Sequence, residues 1–317
     1  MKLYRTLPRR GTTTPSAVTI GNFDGVHLGH QAILAQVREQ ADRHALAPTV
    51  MTFAPHPRAF FAQRGKRPEL VPTQVSSLRD KVDALIQHQM RQIVIEHFTQ
   101  RLADMSAEDF IRRLLVDGLN TRWLMVGEDF RYGHKRSGDI DLLRSMGRQC
   151  GFEVQTLPDV VDAHGRRISS SELRTALAVG NLERSEALLG RPYRLSGHVI
   201  HGRKLGRNLG FPTLNMRVPE PCAARSGIYV VRVHGLGPAP LPAVASLGVR
   251  PTVTDGGRLL LETHVLDQSI HAYGKLVCVE FLEFLRDEEA FPDLPTLIAA
   301  IEKDVQGARD HFASHGL

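Results

Sequence analysis

Near residue 190 the chain changes texture, and no single packing pattern accommodates both sides of the change. Upstream, short β-like runs alternate with amphipathic segments. "AVTI" (Ala17–Ile20) precedes a helical pattern containing Ile33, Leu34 and Val37, and "PTVMTF" (Pro48–Phe53) reads as the next strand. A helical stretch around 76–88 leads to "QIVIEHF" (Gln92–Phe98), and another around 107–118 leads to "RWLMVG" (Arg122–Gly127). A last alternation, "FEVQTL", precedes "ISSSELRTAL". Strands alternating with helices predict βαβ units and a parallel sheet covered on both faces.

Downstream of Arg191, "YRLSGHVI", "GIYVVRVH", "PAVASLGV", "LLLETHVL" and "KLVCVEFLEFL" are β-like, separated by turns rich in Gly, Pro, Asn and Asp. Only the last stretch, "LPTLIAAIEKDVQGARDHF", reads as helix. This half predicts an antiparallel β-barrel or sandwich with a C-terminal helix. The boundary falls within Asn181–Tyr193, which sets the expected domains at 1–184 and 185–317.

A length of 317 residues suits two domains. No apolar run approaches the ~20 residues that span a bilayer, so no membrane partner is expected. The start, "MKLYRTLPRRGTTTP", lacks an apolar core for a secretory signal. Cys150, Cys222 and Cys278 are widely spaced without a CxxC pair, which disfavours a zinc site or a disulfide framework. Those features together lead us to expect a cytoplasmic protein. A net charge of +6 favours anionic partners. There is no basic run of five, no RNP-like aromatic motif and no zinc-finger spacing, and aromatics are only 6%. Nucleotides are thereby favoured over nucleic acids, although composition alone leaves a nucleic-acid module open.

"TIGNFDGVHLGHQAIL" (Thr19–Leu34) reads as strand, loop and helix. Unpaired N–H groups and the dipole at a helix N-terminus attract phosphate. Gly21, Gly25 and Gly29 allow tight turns and close approach to a ligand. His27 and His30 would flank the same anion, a chemistry suited to attack on a nucleotide α-phosphate. A helix cap is the plainer account of a histidine there. In "RRISSSELRTAL", Ser169 and Glu172 have capping-box spacing, so a second helix is expected to begin there. Ser169, Ser170 and Ser171 offer hydroxyls at its anion-attracting end, and Arg174 projects from its first turn. Alone the segment is a structural cap; paired with HxGH it reads as a second clamp on a triphosphate.

"HGRKLGRNLGFPTLN" carries Gly202, Gly206 and Gly210 with Arg203, Lys204 and Arg207 between them. It lacks the GxxxxGK[ST] of a P-loop, but a basic, glycine-rich loop can still fold over phosphates. On a strand, Thr213 and Asn215 share a face; the pair suits Mg²⁺ or phosphate, or is a cross-strand polar pair. In "RLLLETHVLD", Leu260, Glu262, His264 and Leu266 share one face. A carboxylate in so apolar a strand is either a general base or half of an ion pair.

HxGH early and an ISSTxxR-like segment late resemble the nucleotidylyltransferase superfamily. "GNFDGVHLGHQ", "TFAPHP", "VGEDFRYG" and "ISSSELR", in that order, look like the adenylyltransferase half of the bacterial bifunctional riboflavin kinase/FAD synthetase family. "GHVIHGRKLGRNLGFPTLN", "SGIYVV", "LGVRPT", "LETHVLD", "YGK" and "FLRDEEAF" look like its kinase half. The resemblance spans nearly the whole chain. It implies a Rossmann-like nucleotidylyltransferase domain followed by a small antiparallel β-barrel with a C-terminal helix. It also implies two reactions: ATP and riboflavin give FMN and ADP, then ATP and FMN give FAD and pyrophosphate. Both would use a divalent metal, Mg²⁺.

In the first half the resemblance implies that His27 and His30 bind ATP phosphates, with Asn22, Asp24 and Gly25 nearby. Ser169, Ser170 and Arg174 would hold the outgoing pyrophosphate, and Asp129 would serve the flavin-nucleotide or magnesium side. In the second half Thr213 and Asn215 would coordinate Mg·ATP under the Gly202–Gly206–Gly210 loop. Glu262 would be the base for the terminal ribityl hydroxyl, and Arg250 would line the flavin site. Ser171 stands where threonine is common, Tyr132 where phenylalanine is common, and Gln268 where phenylalanine usually follows Asp267. The expected partners are riboflavin, FMN and ATP alone, with a monomer or weak homo-oligomer and no nucleic acid. An enzyme with only one working half, or a flavin- or RNA-binding regulator on this scaffold, would be the alternative. The complete HxGH and Glu262 beside PTLN argue against both.

Overall fold

The computed structural model describes residues 1–202, 209–249, 258–268 and 270–316. Two compact units emerge, one of Met1–Pro72 with Lys81–Ser169, the other of Thr73–Asp80 with Ser170–Leu317.

The first unit is built on six parallel strands: β1 (Lys2–Tyr4), β2 (Ser16–Ile20), β3 (Ala47–Ala54), β4 (Gln92–His97), β5 (Thr121–Gly127) and β6 (Glu153–Leu157). Their order across the sheet is β1-β4-β3-β2-β5-β6. The helices in chain order are α1 (Leu28–Arg43), α2 (Pro57–Arg64), α3 (Leu78–Gln87), α4 (Gln100–Ala103), α5 (Ala107–Asp109) and α6 (Ile140–Cys150). Because side chains alternate along a strand, each strand feeds two cores. Ala17, Val50, Ile93 and Trp123 pack with Leu34, Val37 and Leu85 on one face. Val18, Met51, Val94 and Leu124 pack with Ile111, Leu115 and Leu143 on the other. The expected parallel sheet, buried on both faces, is the one found.

Two details differ from the sequence reading. Lys2–Tyr4 adds an edge strand too short to carry an alternation. The expected helix around 107–118 is α-helical only as far as Asp109, and Phe110–Gly118 is wound as a π-helix. Hydroxyls of Ser16, Thr13 and Thr121 cap its C-terminal carbonyls, donating to Leu119, Gly118 and Leu115.

The second unit holds α7 (Ser170–Ala178), α8 (Leu182–Leu189) and six antiparallel strands. These are β7 (Arg194–Ile200), β8 (Leu214–Arg217), β9 (Gly227–His234), β10 (Leu241–Val249), β11 (Leu259–Val265) and β12 (Leu276–Arg286). They close in the order β10-β11-β8-β7-β12-β9, so the structure chooses barrel over sandwich. Leu261, Thr263 and Val265 of β11 are buried while Glu262 and His264 between them are half-buried. The C-terminal helix, α9 (Leu294–Ser314), sets Val305, Ala308 and Phe312 against Val230, Val244 and Leu266. Arg286, the last residue of β12, clamps that helix through a two-pronged pair to buried Asp304, with Nε–Oδ1 at 2.8 Å and Nη2–Oδ2 at 2.6 Å.

Removing one partner of such a buried pair strands the other charge. Asp304→Ala is therefore expected to cost about 3 kcal/mol of stability, read as a shift in the urea unfolding of the second unit within the full chain.

Candidate active sites

In an open α/β sheet, ligands gather outside the carboxyl ends of the strands where the strand order reverses. Here that point lies between β2 and β5, which are neighbours although their following strands, β3 and β6, lie on opposite sides. The two loops that leave it carry residues 21–27 and 128–129, within the segments singled out from sequence.

The loop after β2 is strained. Gly25 holds φ at 82°, but Phe23 and Val26 also hold positive φ, at 48° and 44°. A β-branched residue rarely adopts that backbone, and such strain collects at functional loops. Phe23, Asp24, Val26 and His27 are buried. His27 is the N-cap of α1, its Nδ1 accepting from the His30 N–H at 3.3 Å. The two imidazoles stack with centroids 3.7 Å apart, and Phe23 packs 4.9 Å from His30. The capping role therefore belongs to His27, and it brings both rings to the positive end of a 16-residue helix.

Gly29 is where this helix meets the second motif. A β-carbon there would stand 3.2 Å from the His27 ring and 3.3 Å from the carbonyl oxygen of Ile168, the residue before Ser169. Asp129 is exposed and pairs with Arg167 at 2.9 Å; the same guanidinium reaches Asp159, also at 2.9 Å. Arg167, unremarked in the sequence reading, thus ties the loop after β5 to the serine segment. The Oδ1 of Asn22 is buried with no hydrogen-bond partner among the described residues, an acceptor in want of a donor. Ser170 is the first residue of α7, as the capping spacing anticipated. Within the second unit, the Nε of Arg174 donates to the carbonyl of Thr73 at 2.7 Å.

The second site is written across three strands of the barrel. Register sets Glu262 opposite Asn215 of β8 on one side and opposite Ser246 of β10 on the other. With period two, these three side chains share the outward face, away from Leu261 and Met216. Thr213, just before β8, lies against Asn215, whose Nδ2 donates to its Oγ1 at 3.4 Å. His264 holds the turn before β8 in place through the Pro212 carbonyl, at 2.9 Å. A pocket opens alongside, lined by Pro212, Thr213, Val265, Gln268, Ile270 and Tyr273. Gly202 closes on the same point: a β-carbon there would sit 2.5 Å from the Asn215 amide nitrogen. Gly210 has a φ of 89°, a backbone that favours glycine. Gly206 and Arg250 lie outside the described residues, as do Arg203, Lys204 and Arg207.

Sequence reasoning missed Glu288. Ser246 Oγ donates to its Oε1 at 3.2 Å, and burial together with the charge of Glu262 pushes its carboxyl above the usual range. "FLRDEEAF" enters the sequence reading as part of the resemblance to the kinase half, with no role for Glu288. The available signal was Gly248, since glycine within a strand marks a close approach.

The two halves match separate family models, residues 10–172 that of FAD synthetase and residues 189–312 that of riboflavin kinase. The bifunctional riboflavin kinase/FMN adenylyltransferase of Pseudomonas fluorescens is 42% identical over 291 residues, covering 92% of this chain and 91% of the relative. The protein of that name from Escherichia coli K12 is 40% identical over 295 residues, covering 93% of this chain and 92% of the relative. Among solved structures, one described as a macrolide-efflux protein from Streptococcus pneumoniae aligns with a TM-score of 0.79 at 27% identity. That alignment covers 97% of this chain and 98% of the other. Among the described residues, no helix is long and apolar enough to cross a membrane.

The glycine contacts make a paired prediction. Gly202→Ala drives a methyl group into Asn215 and is expected to reduce riboflavin phosphorylation at least 10-fold while sparing adenylylation, on the scale of misplacing a positioning group. Gly29→Ala, crowding His27 and the Ile168 carbonyl, should do the opposite. Separate assays of FMN and FAD formation check both.

Proposed function

The chain belongs to the bifunctional riboflavin kinase/FMN adenylyltransferase family, and from that premise we propose how its residues divide the two reactions. The enzyme phosphorylates riboflavin to FMN and adenylylates FMN to FAD. Adenylylation is assigned to residues 1–184 and phosphorylation to 185–317, a boundary in the gap between the two family matches.

The observation that carries the kinase reading is the row Asn215–Glu262–Ser246 with Thr213 beside it. Glu262 is the general base. Its carboxylate takes the proton of the terminal ribityl hydroxyl, that oxygen forms a bond to the γ-phosphorus, and the bond from γ-phosphorus to the ADP oxygen breaks. Phosphoryl transfer asks mainly for position and charge, and a carboxylate on a rigid strand supplies the first. Thr213 and Asn215 fit a magnesium ion arriving with ATP: they are adjacent neutral oxygen donors. Among the described residues, no three His, Cys, Asp or Glu side chains gather into a metal cage. Mg²⁺ usually completes its shell from substrate phosphates and water, so a sparse donor pair suits it. When bound, it would neutralise charge on the phosphates. Gly202, Gly206 and Gly210 shape the loop that covers them, and Arg250 contacts the flavin.

In the first half, the phosphate oxygen of FMN attacks the α-phosphorus of ATP and pyrophosphate leaves. His27 and His30 stabilise charge on the equatorial oxygens at the α1 N-terminus. Gly25 lets the backbone approach, and Asp24 and the orphaned Asn22 Oδ1 bind the nucleoside side of ATP. Ser169, Ser170 and Arg174 receive the pyrophosphate, Arg174 exchanging its Thr73 carbonyl for an anion. Asp129, released from Arg167, faces the flavin nucleotide or its magnesium. We further propose that the enzyme works in the cytoplasm as a monomer or weak homo-oligomer, without nucleic-acid or membrane partners.

Glu262→Gln is expected to lower FMN formation by about 10²- to 10⁴-fold, the usual worth of a general base, while FAD formation from supplied FMN persists. His30→Ala should lower FAD formation by about 10²-fold and spare FMN formation. Equal loss of both activities in either variant would contradict two separate sites.

A further inference from the structure

The kinase row does not end at Ser246. Gly248 is the next residue on the outward face of β10, and its missing side chain leaves room that Glu288 occupies. A β-carbon at Gly248 would collide with both carboxylate oxygens of Glu288. The Ser246 hydroxyl donates to the same carboxylate at 3.2 Å. Glu288 is braced on its N-terminal side. Arg286 is clamped to Asp304, and Asp287 accepts from Arg225 at 2.6 Å. Partial desolvation and, to a lesser degree, the charge of Glu262 raise the Glu288 carboxyl above its usual range, against the pull of the Ser246 hydrogen bond. Glu288 is exposed on its outer side, yet its carboxylate lies directly over Gly248.

We propose that Glu288 is a specificity-determining residue of the kinase site, accepting a hydrogen bond from a hydroxyl of the polyol chain of the flavin substrate. The proposal rests on the assignment of Glu262 as the base. Directly opposed residues on neighbouring strands have β-carbons about 5 Å apart, so Asn215, Glu262 and Ser246 span roughly 10 Å of floor. That length matches a short polyhydroxylated chain lying across the strands. Along it, Glu262 takes the reacting hydroxyl and Glu288, beyond Ser246, takes one further back. Each carboxylate has about four acceptor positions, and the Ser246 hydroxyl fills one on Glu288. Hydroxyls are donors, so a chain of them complements two carboxylates and a ring of polar strand residues. An apolar flavin side chain would offer these carboxylates no donor, and a site built on donor–acceptor pairing discriminates against a substrate that lacks the donor.

The test uses the full-length enzyme and steady-state kinetics with riboflavin and with flavins lacking one internal ribityl hydroxyl at a time. Glu288→Ala is expected to raise KM for riboflavin about 10- to 100-fold, the scale of a hydrogen bond to a charged group, without altering KM for ATP. For one deoxy flavin, wild type and variant should perform alike, because the partner of Glu288 is already missing. Gly248→Ala, which displaces the carboxylate without removing it, should repeat the effect. The thermal midpoint of each variant reports whether it has folded; if Glu288→Ala has not, Glu288→Gln carries the same comparison. A Glu288 variant that loses equally against every deoxy flavin, or loses affinity for ATP instead, overturns the proposal. So does one indistinguishable from wild type. If Glu262→Gln keeps full kinase activity, the underlying assignment fails; if Glu262→Gln is inactive while Glu288 variants are unaffected, only this inference falls.

Discussion

Closure of the barrel is the constraint on which the proposed kinase site depends. In a closed antiparallel sheet, every strand's register is fixed by two neighbours, and a slip of one residue would turn each side chain to the opposite face. The pairings of β11 with β8 and β10 are therefore also statements about chemistry. They line up an amide, a carboxylate and a hydroxyl without any of the three needing to find the others through flexible loops. The interior positions, Leu261, Thr263, Val265 and Met216, hold that register by burial. The groups proposed to react are carried on the reverse side of the same strands.

The first unit solves the same problem of placement by a different route. The residues proposed for its chemistry lie on loops and at helix starts, and the parallel sheet beneath supplies the rigid frame. The loop after β2 is held in a backbone that Phe23 and Val26 would not choose alone, and their burial in the core stabilises it. The cap bond from His27 then fixes the start of α1, and stacking fixes His30. One site is thus set by register and the other by capping.

Much of this was legible in the residues. Both fold classes followed from periodicity, because alternation of period two and of 3.6 separate cleanly in runs such as "GIYVVRVH" and the terminal helix. The HxGH and PTLN segments could be placed at a helix start and a strand face for the same reason. Closure into a barrel followed from the resemblance and not from periodicity, because a strand sequence records its faces and not its partners. The placement of Glu288 was not legible, since its neighbours in sequence are charged and its neighbours in space come from another strand. Arg167 escaped notice likewise, since its link to Asp129 spans 38 residues of chain. The π-helical winding of Phe110–Gly118 ends on carbonyls that accept from the hydroxyls of Thr13 and Ser16, far upstream.

The second unit includes Thr73–Asp80, made early in the chain. Gln74 pairs with the backbone around Cys222, donating to Pro221 and accepting from Ala223, and its side chain reaches Glu220 across 146 residues. Arg174 holds the Thr73 carbonyl across 101 residues. On a ribosome, this short stretch emerges long before its partners exist and must wait for them. The barrel unit therefore joins a stretch made early to partners made 101 and 146 residues later. A gene cut between the two catalytic halves would also part this unit from a piece of its own framework.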